Sequence, residues 1–508
     1  MTGWVQRQAD ILIAVILGCI SGLLYVSTAA PSVLMADSGE FQFVAPMAGI
    51  AHSTGYPLYV LLGWVWTHIF PRGDIAYRMN LFSALWGGVA IGLLYLAGLW
   101  SVRLTMPRTA LHWQRVAAAF TALTLAVSRT FWSQAVVAEV YTLHSVFVAA
   151  LLYTTLRAYH AFQVDSGRAT GWLIATGSVF GLSLTHHRTT VLLLPALLAC
   201  LWPAGRHFHL PGRRLAVLLL MGLALPQLLY LYIPLRAPHV PYLEQQLGAG
   251  RILVLYERSL SGFLDLVGGG AFEGQLAQQP LTADRFGMAF DLLQRQFSWA
   301  GIALGMLGLF STFRREAWRV AALTLLAYLG FVGFNLIYFI GDIHVLFIPA
   351  HLVFSLWLGL GACVLIRAVA ALTRTAAEAL GAATTGFLLL ALVLLPLTLC
   401  VRNFPLVDQS ANFDAARLWQ PILAAPLPAG AILISNDRDE IMPLWYCQYI
   451  DGKRPDLLGL FPLIVREPAY RDLTGVVDRA LDTGRPVFLV KPMPGLDLLY
   501  RLEPEGPV

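Results

Sequence analysis

The chain has 508 residues, of which 57% are hydrophobic and 12% are charged, and its mean hydropathy is +0.67. Soluble domains usually carry about 25% charged residues, so this composition excludes an ordinary soluble protein and predicts an integral membrane protein. The formal net charge of +5 does not imply a nucleic-acid partner, because the positions of the arginines explain it. The five cysteines stand singly, without a zinc spacing, and we interpret them as small packing residues.

The first apolar run extends from Ile11 to Ala30, follows Arg7 and ends in the small residues S-T-A-A. This pattern resembles a signal peptide with its cleavage site. The run is, however, close to the roughly 20 residues that one membrane crossing needs. We therefore expect a first transmembrane helix that is retained.

Eleven apolar runs are candidates for membrane spans, although several have only about 15 residues, which is short for a full crossing. Arginines follow alternate runs, for example Arg103 after the second, Arg157 after the fourth and Arg314 after the eighth. The positive-inside rule then predicts a plasma-membrane protein (inner membrane in a bacterium) whose N-terminus is cytoplasmic and whose C-terminus is outside. The runs are residues 11–30, 80–102, 113–127, 135–156, 171–185, 189–203, 215–235, 298–312, 319–340, 345–366 and 384–402.

The apolar run from Pro57 to Phe70 is not counted among the eleven. As a span, it would place the arginines after the second run on the outer side, against the positive-inside rule. The run is rich in Trp and Tyr, so we predict a helix that lies in the outer membrane interface. Residues 31–79 then form a large first outer loop with interfacial helices, and residues 236–297 form a second, long outer loop.

The C-terminal residues 403–508 have a different pattern, in which short apolar runs alternate with polar segments. We expect them to form a small α/β domain outside the membrane, while residues 1–402 form the membrane domain. The predicted elements are strands at 431–434, 457–461 and 486–490 and a helix at 440–449. The polar segment S-N-D-R-D-E before this helix is expected to cap it through Asn436 or Asp437, with an acidic binding site as the alternative.

Two carboxylates, Asp37 and Glu40, follow the first apolar run in the sequence D-S-G-E. Residues three apart share a face of a helix, so one of the two acids is expected to orient the other or a substrate group. A carboxylate at this place is a candidate general base that takes a proton from an acceptor hydroxyl. The alternative is that Asp and Ser only cap the next helix.

Several basic residues on the same predicted side are candidates for binding a phosphate or pyrophosphate. An arginine at the outer end of a span, as Arg236 is predicted to be, is disfavoured unless it has an anionic partner. The alternatives are a solvent-facing loop histidine at position 52, and ordinary surface polarity or a weak metal site at the adjacent histidines. The candidates are His52, His186, His187, Arg188 and Arg236.

Glu139 falls early in an apolar run, where an ionisable group is a functional candidate by default. The alternative is a structural ion pair with Arg129. Other polar residues on the same side complete a set that we expect to contact the substrates. This set comprises Tyr56, Glu139, Tyr141, His144, Asp342 and His344.

The sequence contains no P-loop, no G-x-G-x-x-G after a strand and no G-x-S-x-G, so ATP-driven transport and hydrolase chemistry lack support. The alternatives to an enzyme are a transporter or flippase of lipid-linked sugars, and a sensor or scaffold whose outer C-terminal tail binds a partner. Transporters tend to have inverted repeats and helices that break at mid-membrane, and we find neither in the sequence. No cofactor is expected, and a divalent metal has no support.

Six motifs in one order resemble the bacterial membrane family known as domain of unknown function 2723. That family includes an animal O-mannosyltransferase of plexin-type domains and is similar in layout to GT-C glycosyltransferases. One motif departs from the family, which usually has H-P-P-G-Y-P where this chain has H-S-T-G-Y-P. The motifs are D-S-G-E-F at 37–41, A-H-S-T-G-Y-P-L-Y at 51–59, N-L-F-S-A-L at 80–85, F-W-S-Q-A-V-V-A-E-V-Y-T-L at 131–143, T-H-H at 185–187 and Y-I-P-L-R at 232–236.

The resemblance implies a membrane glycosyltransferase that moves a hexose such as mannose from a polyprenyl-phosphate donor, with inversion, to a hydroxyl of a protein, lipid or glycan. It also implies an acid of the first outer loop as the catalytic base, which in this chain is Asp37, with Glu40 as the second candidate. Because the donor is lipid-linked, phosphate contacts are expected as well. Membrane lipids surround the protein.

Overall fold

The structure is a computed structural model that describes residues 2–164, 166–202, 212–248, 250–277, 280–373, 378–462 and 470–506. The first helices are α1 (Thr2–Ser27), α2 (Ala36–Val44), α3 (Pro57–Ile69), α4 (Ile75–Thr105), α5 (Leu111–Ala126), α6 (Arg129–Ala135), α7 (Tyr141–Val164), α8 (Ser166–Leu184), α9 (Leu194–Leu201) and α10 (Gly212–Gln227). The others are α11 (Tyr232–Arg236), α12 (Leu260–Gly268), α13 (Ala283–Thr312), α14 (Trp318–Ile337), α15 (Ile343–Leu346), α16 (Ile348–Thr373), α17 (Glu378–Val407), α18 (Asp414–Ala424), α19 (Arg438–Tyr449) and α20 (Leu473–Leu481).

Each of the eleven predicted apolar runs is helical over most of its described length. Within the described residues, six helical segments are both long and apolar enough to cross a membrane. The remaining runs form helices that are shorter or less apolar by the same measure. The six segments are Trp4–Ser27, Ile75–Thr105, Gly212–His239, Trp318–Ile337, Ile348–Thr373 and Ala383–Val407.

One predicted boundary is wrong. The apolar run 135–156 is not a single helix, because a turn separates α6 from α7 and the helix begins only at Tyr141. The hydroxyl of Ser83 accepts a hydrogen bond from the backbone N–H of Glu139 (3.0 Å) and donates to its carbonyl (3.2 Å). Glu139 lies in the turn between the two helices and not within a span. The bonds to Ser83 satisfy the backbone groups of Glu139 that a helix would otherwise pair.

The helix bundle has its own hydrophobic core, in which α4, α7 and α16 are largely buried. Helices α1 and α4 cross with their backbones in contact at Gly18 and Gly88. A Cβ added at Gly18 would lie 2.8 Å from the carbonyl oxygen of Gly88, closer than carbon and oxygen tolerate. Glycine at the crossing therefore sets how closely the two helices pack.

The arginine-rich links lie at the end of the bundle where α1 begins and α4 ends. There the buried carboxylate of Asp10 pairs with Arg103 (2.7 Å) and with Arg115 (2.8 Å). The guanidinium of Arg157 lies nearby over the ring of Trp100, 4.5 Å from its centre. The described basic links around Arg103, Arg115 and Arg157 are thus at the opposite end of the bundle from Asp37.

At the other end, the C-terminal residues form a three-stranded parallel sheet in the order β4-β3-β5. A separate hairpin, β1 (Glu244–Gly248) and β2 (Arg251–Val254), lies in the long outer loop. The sheet strands agree with the predicted ones to within two residues at each end, and every residue of the central strand is buried. They are β3 (Ile432–Ile434), β4 (Leu458–Leu460) and β5 (Val487–Leu489).

The C-terminal sheet and the outer loops share a second hydrophobic core. The ring of Phe43 in α2 lies 5.3 Å from that of Tyr242 in the long outer loop and 6.0 Å from that of Trp445 in α19. The hydroxyl of Tyr446 accepts a hydrogen bond from the backbone N–H of Ala76 at the start of α4 (3.1 Å). This shared core fixes α19 against α2 and thereby positions the site described next.

Candidate functional site

Helix α2 carries the two acids of the first outer loop. It begins at Ala36 after Met35, whose side chain makes no capping bond, and Asp37 lies within the first turn. The side chain of Asp37 is directed at another part of the chain, so the capping alternative does not describe it. As predicted from their spacing, Asp37 and Glu40 lie on one face of the helix, and both contact Arg438.

Arg438 is the first residue of α19, and its guanidinium bridges the two acids. Its Nη1 donates to Oδ1 of Asp37 over 2.6 Å, and its Nη2 donates to Oε2 of Glu40. The side chain of Asp437 caps α19 by accepting from the backbone N–H of Asp439 (2.9 Å), as the capping prediction allowed. The cap and the shared core hold Arg438 at the point where α19 meets α2.

His52, in the loop before α3, completes a cluster with Asp37, Glu40 and Arg438. Its Nδ1 lies 2.5 Å from Oε2 of Glu40, its backbone N–H donates to Oε1 of Glu40 (2.9 Å), and its Nε2 lies 3.9 Å from Oδ2 of Asp37. Burial disfavours the imidazolium, but the charges of Glu40 and Asp37 outweigh it and raise the pKa of His52 to about 9. Burial likewise disfavours the Glu40 anion, yet His52 and Arg438 lower its pKa to about 2.

Solvent exposure distinguishes the two acids. The side chain of Glu40 is 8% exposed and its oxygens are engaged by His52 and Arg438, whereas the side chain of Asp37 is 37% exposed. A general base has to reach the proton that it removes. Of the two acids, Asp37 is therefore the one that a ligand can reach, whereas Glu40 is engaged by the two cations.

Two cavities meet at this cluster. The first has a volume of about 350 Å³ and the second about 370 Å³. Four residues line both of them: Asp37, His52, Ser53 and Phe272. The exposed carboxylate of Asp37 is thus accessible from two different spaces.

The wall of the first cavity carries an exposed cationic side chain. Arg188 is exposed at the cavity wall, and its guanidinium lies 5.2 Å from the ring centre of Tyr230. Within the described part of the chain, no carboxylate lies within ion-pair distance of it. An exposed guanidinium of this kind suits a phosphate. His187, Tyr56, Tyr141 and Asp342 of the predicted set line the same cavity.

His186 and His187 were predicted from the sequence as cationic phosphate ligands, but in the structure both are uncharged. Burial lowers the pKa of His187 to about 4, and burial followed by the charge of His187 lowers that of His186 to about 3, so both rings are neutral at pH 7. His187 pairs through Nδ1 with the hydroxyl of Thr189 (2.7 Å) and lines the cavity. His186 is fully buried, and its Nε2 donates to the carbonyl of Val140 (2.9 Å).

Three other basic residues of the predicted set lie outside the lining of both cavities. His144 is buried behind the first cavity and stacks on His187 with ring centres 4.4 Å apart. Arg236 donates to the carbonyls of Ala48 (2.6 Å) and Met47 (2.9 Å), so its hydrogen bonds hold the first outer loop. His344 is exposed in α15, beside the first cavity but not lining it. The structure thus places these three residues around the two cavities and not in their walls.

Glu139 is partly buried behind Asp37 and accepts a weak hydrogen bond from the hydroxyl of Ser38 (3.3 Å). Burial, followed by the nearby charge of Asp37, raises its pKa well above the usual value. Among the described residues, no ion pair joins Glu139 to Arg129, so the structural alternative is wrong. Glu139 thus lies beside α2, outside the lining of both cavities.

The carboxylate and imidazole atoms of Asp37, Glu40 and His52 lie within 4.8 Å of one another, a spacing compatible with a metal ion. Metal ligation requires a neutral imidazole and free carboxylate oxygens. In this structure Arg438 already bridges both acids, and His52 is held as its cation. A divalent ion would have to displace Arg438, so the geometry favours a site built on this arginine.

Arg438 is the principal residue that the sequence did not single out. From the acidic residues of the segment around Arg438, the sequence predicts a helix cap or an acidic site and assigns no role to the arginine. Its only local signal is an arginine among five polar neighbours directly after a buried strand. No local pattern indicates that its partner lies 401 residues earlier in the chain.

Comparison with solved structures identifies the class of fold. ArnT from Cupriavidus metallidurans bound to undecaprenyl phosphate aligns over 96% of this chain and 90% of its own, with a TM-score of 0.55 and 14% identity. The Archaeoglobus fulgidus oligosaccharyltransferase in complex with Zn and sulfate aligns over 88% of this chain and 62% of its own, with a TM-score of 0.52 and 14% identity. The chain is an α-helical membrane protein with the GT-C glycosyltransferase fold.

Sequence comparison gives more particular relatives. Residues 37–206 match the family described as the protein O-mannosyl-transferase TMEM260 N-terminal domain. The Dictyostelium discoideum protein O-mannosyl-transferase tmem260 is 25% identical over 89% of this chain and 57% of its own length. Mouse protein O-mannosyl-transferase TMEM260 is 32% identical over 39% of this chain and 26% of its own. The chain thus spans 57% or less of the length of these relatives.

Proposed function

We propose that this protein is a membrane glycosyltransferase that moves a hexose, with mannose as the first candidate, from a polyprenyl-phosphate donor to an acceptor hydroxyl. The observation that carries the proposal is the position of Asp37, whose exposed carboxylate lies on the wall shared by two cavities. Such a carboxylate can contact a hydroxyl from one cavity while a donor occupies the other. The names of the TMEM260 relatives support mannose as the sugar and a protein as the acceptor.

The first cavity suits the donor. Its exposed Arg188 would pair with the phosphate, while neutral His187 would contribute a hydrogen bond and no charge. Tyr56 and Tyr141, which also line this cavity, would contact the sugar through their hydroxyls. ArnT, which shares the fold, was solved with undecaprenyl phosphate, and this supports a lipid-linked donor here.

The reaction is a single displacement at the anomeric carbon. The acceptor oxygen forms a bond to that carbon, Asp37 takes the hydroxyl proton, and the bond between the carbon and the phosphate oxygen breaks. The electron pair leaves with the prenyl phosphate, whose new charge Arg188 stabilises. Attack opposite to the leaving group inverts the configuration. Because a phosphate is already a good leaving group, the step needs neither a nucleotide nor a redox cofactor.

Arg438 and its neighbours hold the carboxylate of Asp37 in position. Arg438 holds one oxygen of Asp37, and Glu40 shares the charge of the guanidinium. When Asp37 becomes protonated, Glu40 remains in contact with both Arg438 and His52, so each cation keeps a carboxylate partner. Glu40, His52 and Arg438 are therefore positioning residues, and Asp37 alone contacts the reacting hydroxyl.

The reaction would take place on the outer face of the plasma membrane. The basic cluster around Asp10 lies at the opposite end of the bundle from Asp37, and the positive-inside rule assigns that basic end to the cytoplasm. With the N-terminus in the cytoplasm, residues 403–508 lie outside, beside the site. A transporter of lipid-linked sugars would use the first cavity for binding alone and would not need Asp37 as a base.

The test uses purified full-length protein with a synthetic short-chain prenyl-phosphate mannose, and mass spectrometry follows release of the sugar to water or to peptides. We expect Asp37→Asn to lower turnover by roughly 100-fold or more while donor binding is retained. Asp451→Asn is the matched control, because among the described residues Asp451 pairs with exposed Lys453 (3.0 Å), and it lines neither cavity. Equal activity of Asp37→Asn and wild type would reject the proposal.

A further inference from the structure

A third cavity lies between the long outer loop and the C-terminal segment, and its volume is about 230 Å³. Its walls come from strand β1, from helix α19 and from the loop that leads into strand β4. It shares Trp445 with the second cavity, but neither Asp37 nor the three residues that contact Asp37 or Glu40 in the cluster line it. The proposed transfer reaction therefore assigns no role to this cavity.

The charged side chains of the third cavity already have partners. Of the acids that line it, Glu244 pairs with Arg258 (3.1 Å) and Asp456 pairs with Arg454 (2.9 Å). Arg485, the cation of the described lining, donates to backbone carbonyls of β1 (3.2 Å) and of the loop before β4 (3.4 Å). An anion would meet two carboxylates and an occupied guanidinium, and a cation would have to displace an arginine. The cavity therefore favours an uncharged ligand.

Glutamines supply the uncharged polar groups of this wall. Gln245 is 5% exposed, and among the described residues its buried Oε1 has no hydrogen-bond partner. A buried oxygen of this kind is costly unless a ligand or a water supplies a donor. The Nε2 of Gln448 donates to two backbone carbonyls, 3.0 and 2.8 Å away, so its Oε1 is the group left for a ligand. Both amides thus call for a ligand that donates hydrogen bonds.

Two aromatic side chains lie in the same wall. Trp445 and Tyr449 are four residues apart in α19, so they lie on one face of the helix. Trp445 also stacks on Tyr242, with ring centres 6.0 Å apart, and the shared core thereby fixes its position. Aromatic surface beside amide groups suits a ligand that is apolar on one face and carries hydroxyls at its edge. A sugar ring has this construction, whereas a hydrocarbon chain would leave the amides unpaired.

We propose that the third cavity is a non-catalytic binding site for a neutral pyranose unit. The C–H face of the sugar packs on Trp445 and Tyr449, and its hydroxyls donate to the amide oxygens of Gln245 and Gln448. A volume of about 230 Å³ is below the roughly 300–1,000 Å³ of pockets for drug-sized ligands, so it suits one sugar ring and not a longer glycan. The proposal goes beyond the transfer function and does not depend on it.

The test measures sugar binding to the full-length protein in lipid nanodiscs, because detergents with sugar headgroups would compete for the site. The probes are the methyl glycosides of mannose, glucose, galactose and N-acetylglucosamine, titrated by saturation-transfer-difference NMR. Glucuronic acid tests the exclusion of charge, and glycerol tests whether any polyol binds. A mannosylated peptide and its unmodified form show whether a sugar attached to a protein enters as a free glycoside does.

Gln245→Leu is the diagnostic variant, and Gln420→Leu, at an exposed position of α18 outside all three cavities, is its matched control. Leucine is close in size to glutamine and removes an amide oxygen that has no partner, so the unfolding temperature should not fall. We expect Gln245→Leu to weaken binding of the neutral glycosides by roughly 10-fold or more. Donor hydrolysis should remain equal to that of Gln420→Leu and of wild type.

The other outcomes separate this inference from the proposed function. Glycoside binding that persists in Gln245→Leu but is lost in Leu276→Trp, which fills part of the first cavity, would overturn the inference and leave the function standing. No binding of any neutral glycoside, or equal binding of glucuronic acid or glycerol, would also overturn it. Glycoside binding that depends on Gln245, in a protein that never releases sugar from the donor, would support the inference and count against the proposed function alone.

A second measurement locates the sugar without any variant. A diazirine derivative of the tightest-binding glycoside is irradiated with wild-type protein, and the cross-linked residues are identified by mass spectrometry. Cross-links to the third cavity, at Gln448, Tyr449 or Pro455, are the expected result. Cross-links confined to residues outside that cavity would contradict the proposal.

Discussion

Arg438 Nη1 donates to Oδ1 of Asp37 over 2.6 Å, although 401 positions separate the two residues in the sequence. This ion pair joins the C-terminal segment to the first outer loop directly beside the proposed reaction centre. The same guanidinium also contacts Glu40, which pairs with His52. The candidate base is thus contacted by a part of the chain, residues 408–462 and 470–506, in which no helix is long and apolar enough to cross a membrane.

The first prediction concerns Arg438. Arg438→Gln removes a partly buried charge from two carboxylates, and such a change typically destabilises a protein by about 3–5 kcal/mol. We also expect kcat to fall at least tenfold with little change in the donor KM, because Asp37 loses its orientation and not its ligand. Arg438→Lys should recover part of kcat, since it restores the charge without the two-pronged contact.

The control for Arg438 is Arg417→Gln. Arg417 forms an exposed ion pair with Asp414 in α18, and such surface pairs contribute about 0–1 kcal/mol. Thermal unfolding and steady-state kinetics on the three variants test the prediction. A donor KM that rises in step with the fall in kcat would show that Arg438 contributes to donor binding and does not orient the base.

The second prediction concerns pH. The pKa of His52 is raised in the folded protein to about 9, above its unfolded value of 6.5. The stabilisation by its positive charge is therefore fully present below about pH 6.5 and is lost as the pH rises through about 9. For Glu40, whose pKa is lowered to about 2, the contribution is present above about pH 4.5 and is lost as the pH falls through about 2.

We therefore expect the unfolding temperature to decline between about pH 7 and pH 9 in wild type, and this decline to be smaller in His52→Gln. Glutamine keeps a hydrogen-bond donor near Glu40 but cannot titrate. Differential scanning fluorimetry across this pH range makes the measurement. The same alkaline slope in both proteins would show that other groups determine it.

The third prediction concerns Arg188. Because the proposed donor phosphate pairs with this exposed guanidinium, Arg188→Gln should raise the donor KM by roughly 10-fold and leave the peptide KM almost unchanged. Added salt should weaken donor binding in wild type more than in the variant. Arg258→Gln serves as the control, because Arg258 forms an exposed pair with Glu244 outside the first cavity. Equal donor KM values in Arg188→Gln and wild type would remove Arg188 from the proposed phosphate site.

The fourth prediction concerns Glu139. Burial and the charge of Asp37 raise its pKa, so its carboxyl is favoured in the protonated form. A protonated carboxyl and an amide have similar size and both donate a hydrogen bond. Glu139→Gln should therefore keep the unfolding temperature within about 2 °C of wild type, whereas Glu139→Ala should lower it by several degrees. A large loss of stability in Glu139→Gln would indicate that the charged form of Glu139 is the structural one.

The sequence by itself determined the features that depend on local patterns. Hydropathy marked the helices, the arginine spacing placed the basic links away from the site, and period-two runs marked the three strands of the C-terminal sheet. The spacing of Asp37 and Glu40 was also sufficient to place both on one helix face. Each of these properties depends on a few neighbouring residues, because helix and strand periods and transfer free energies act over short stretches of chain.

Only the tertiary structure decided which groups meet and which carry charge. It brought Arg438 to Asp37, buried Glu40, opened two cavities around one carboxylate, and neutralised the histidines that the sequence had offered as cations. A pKa and an ion pair depend on the desolvation and charges that the folded chain creates around a group. Those surroundings come from segments hundreds of residues apart, and no local pattern contains them.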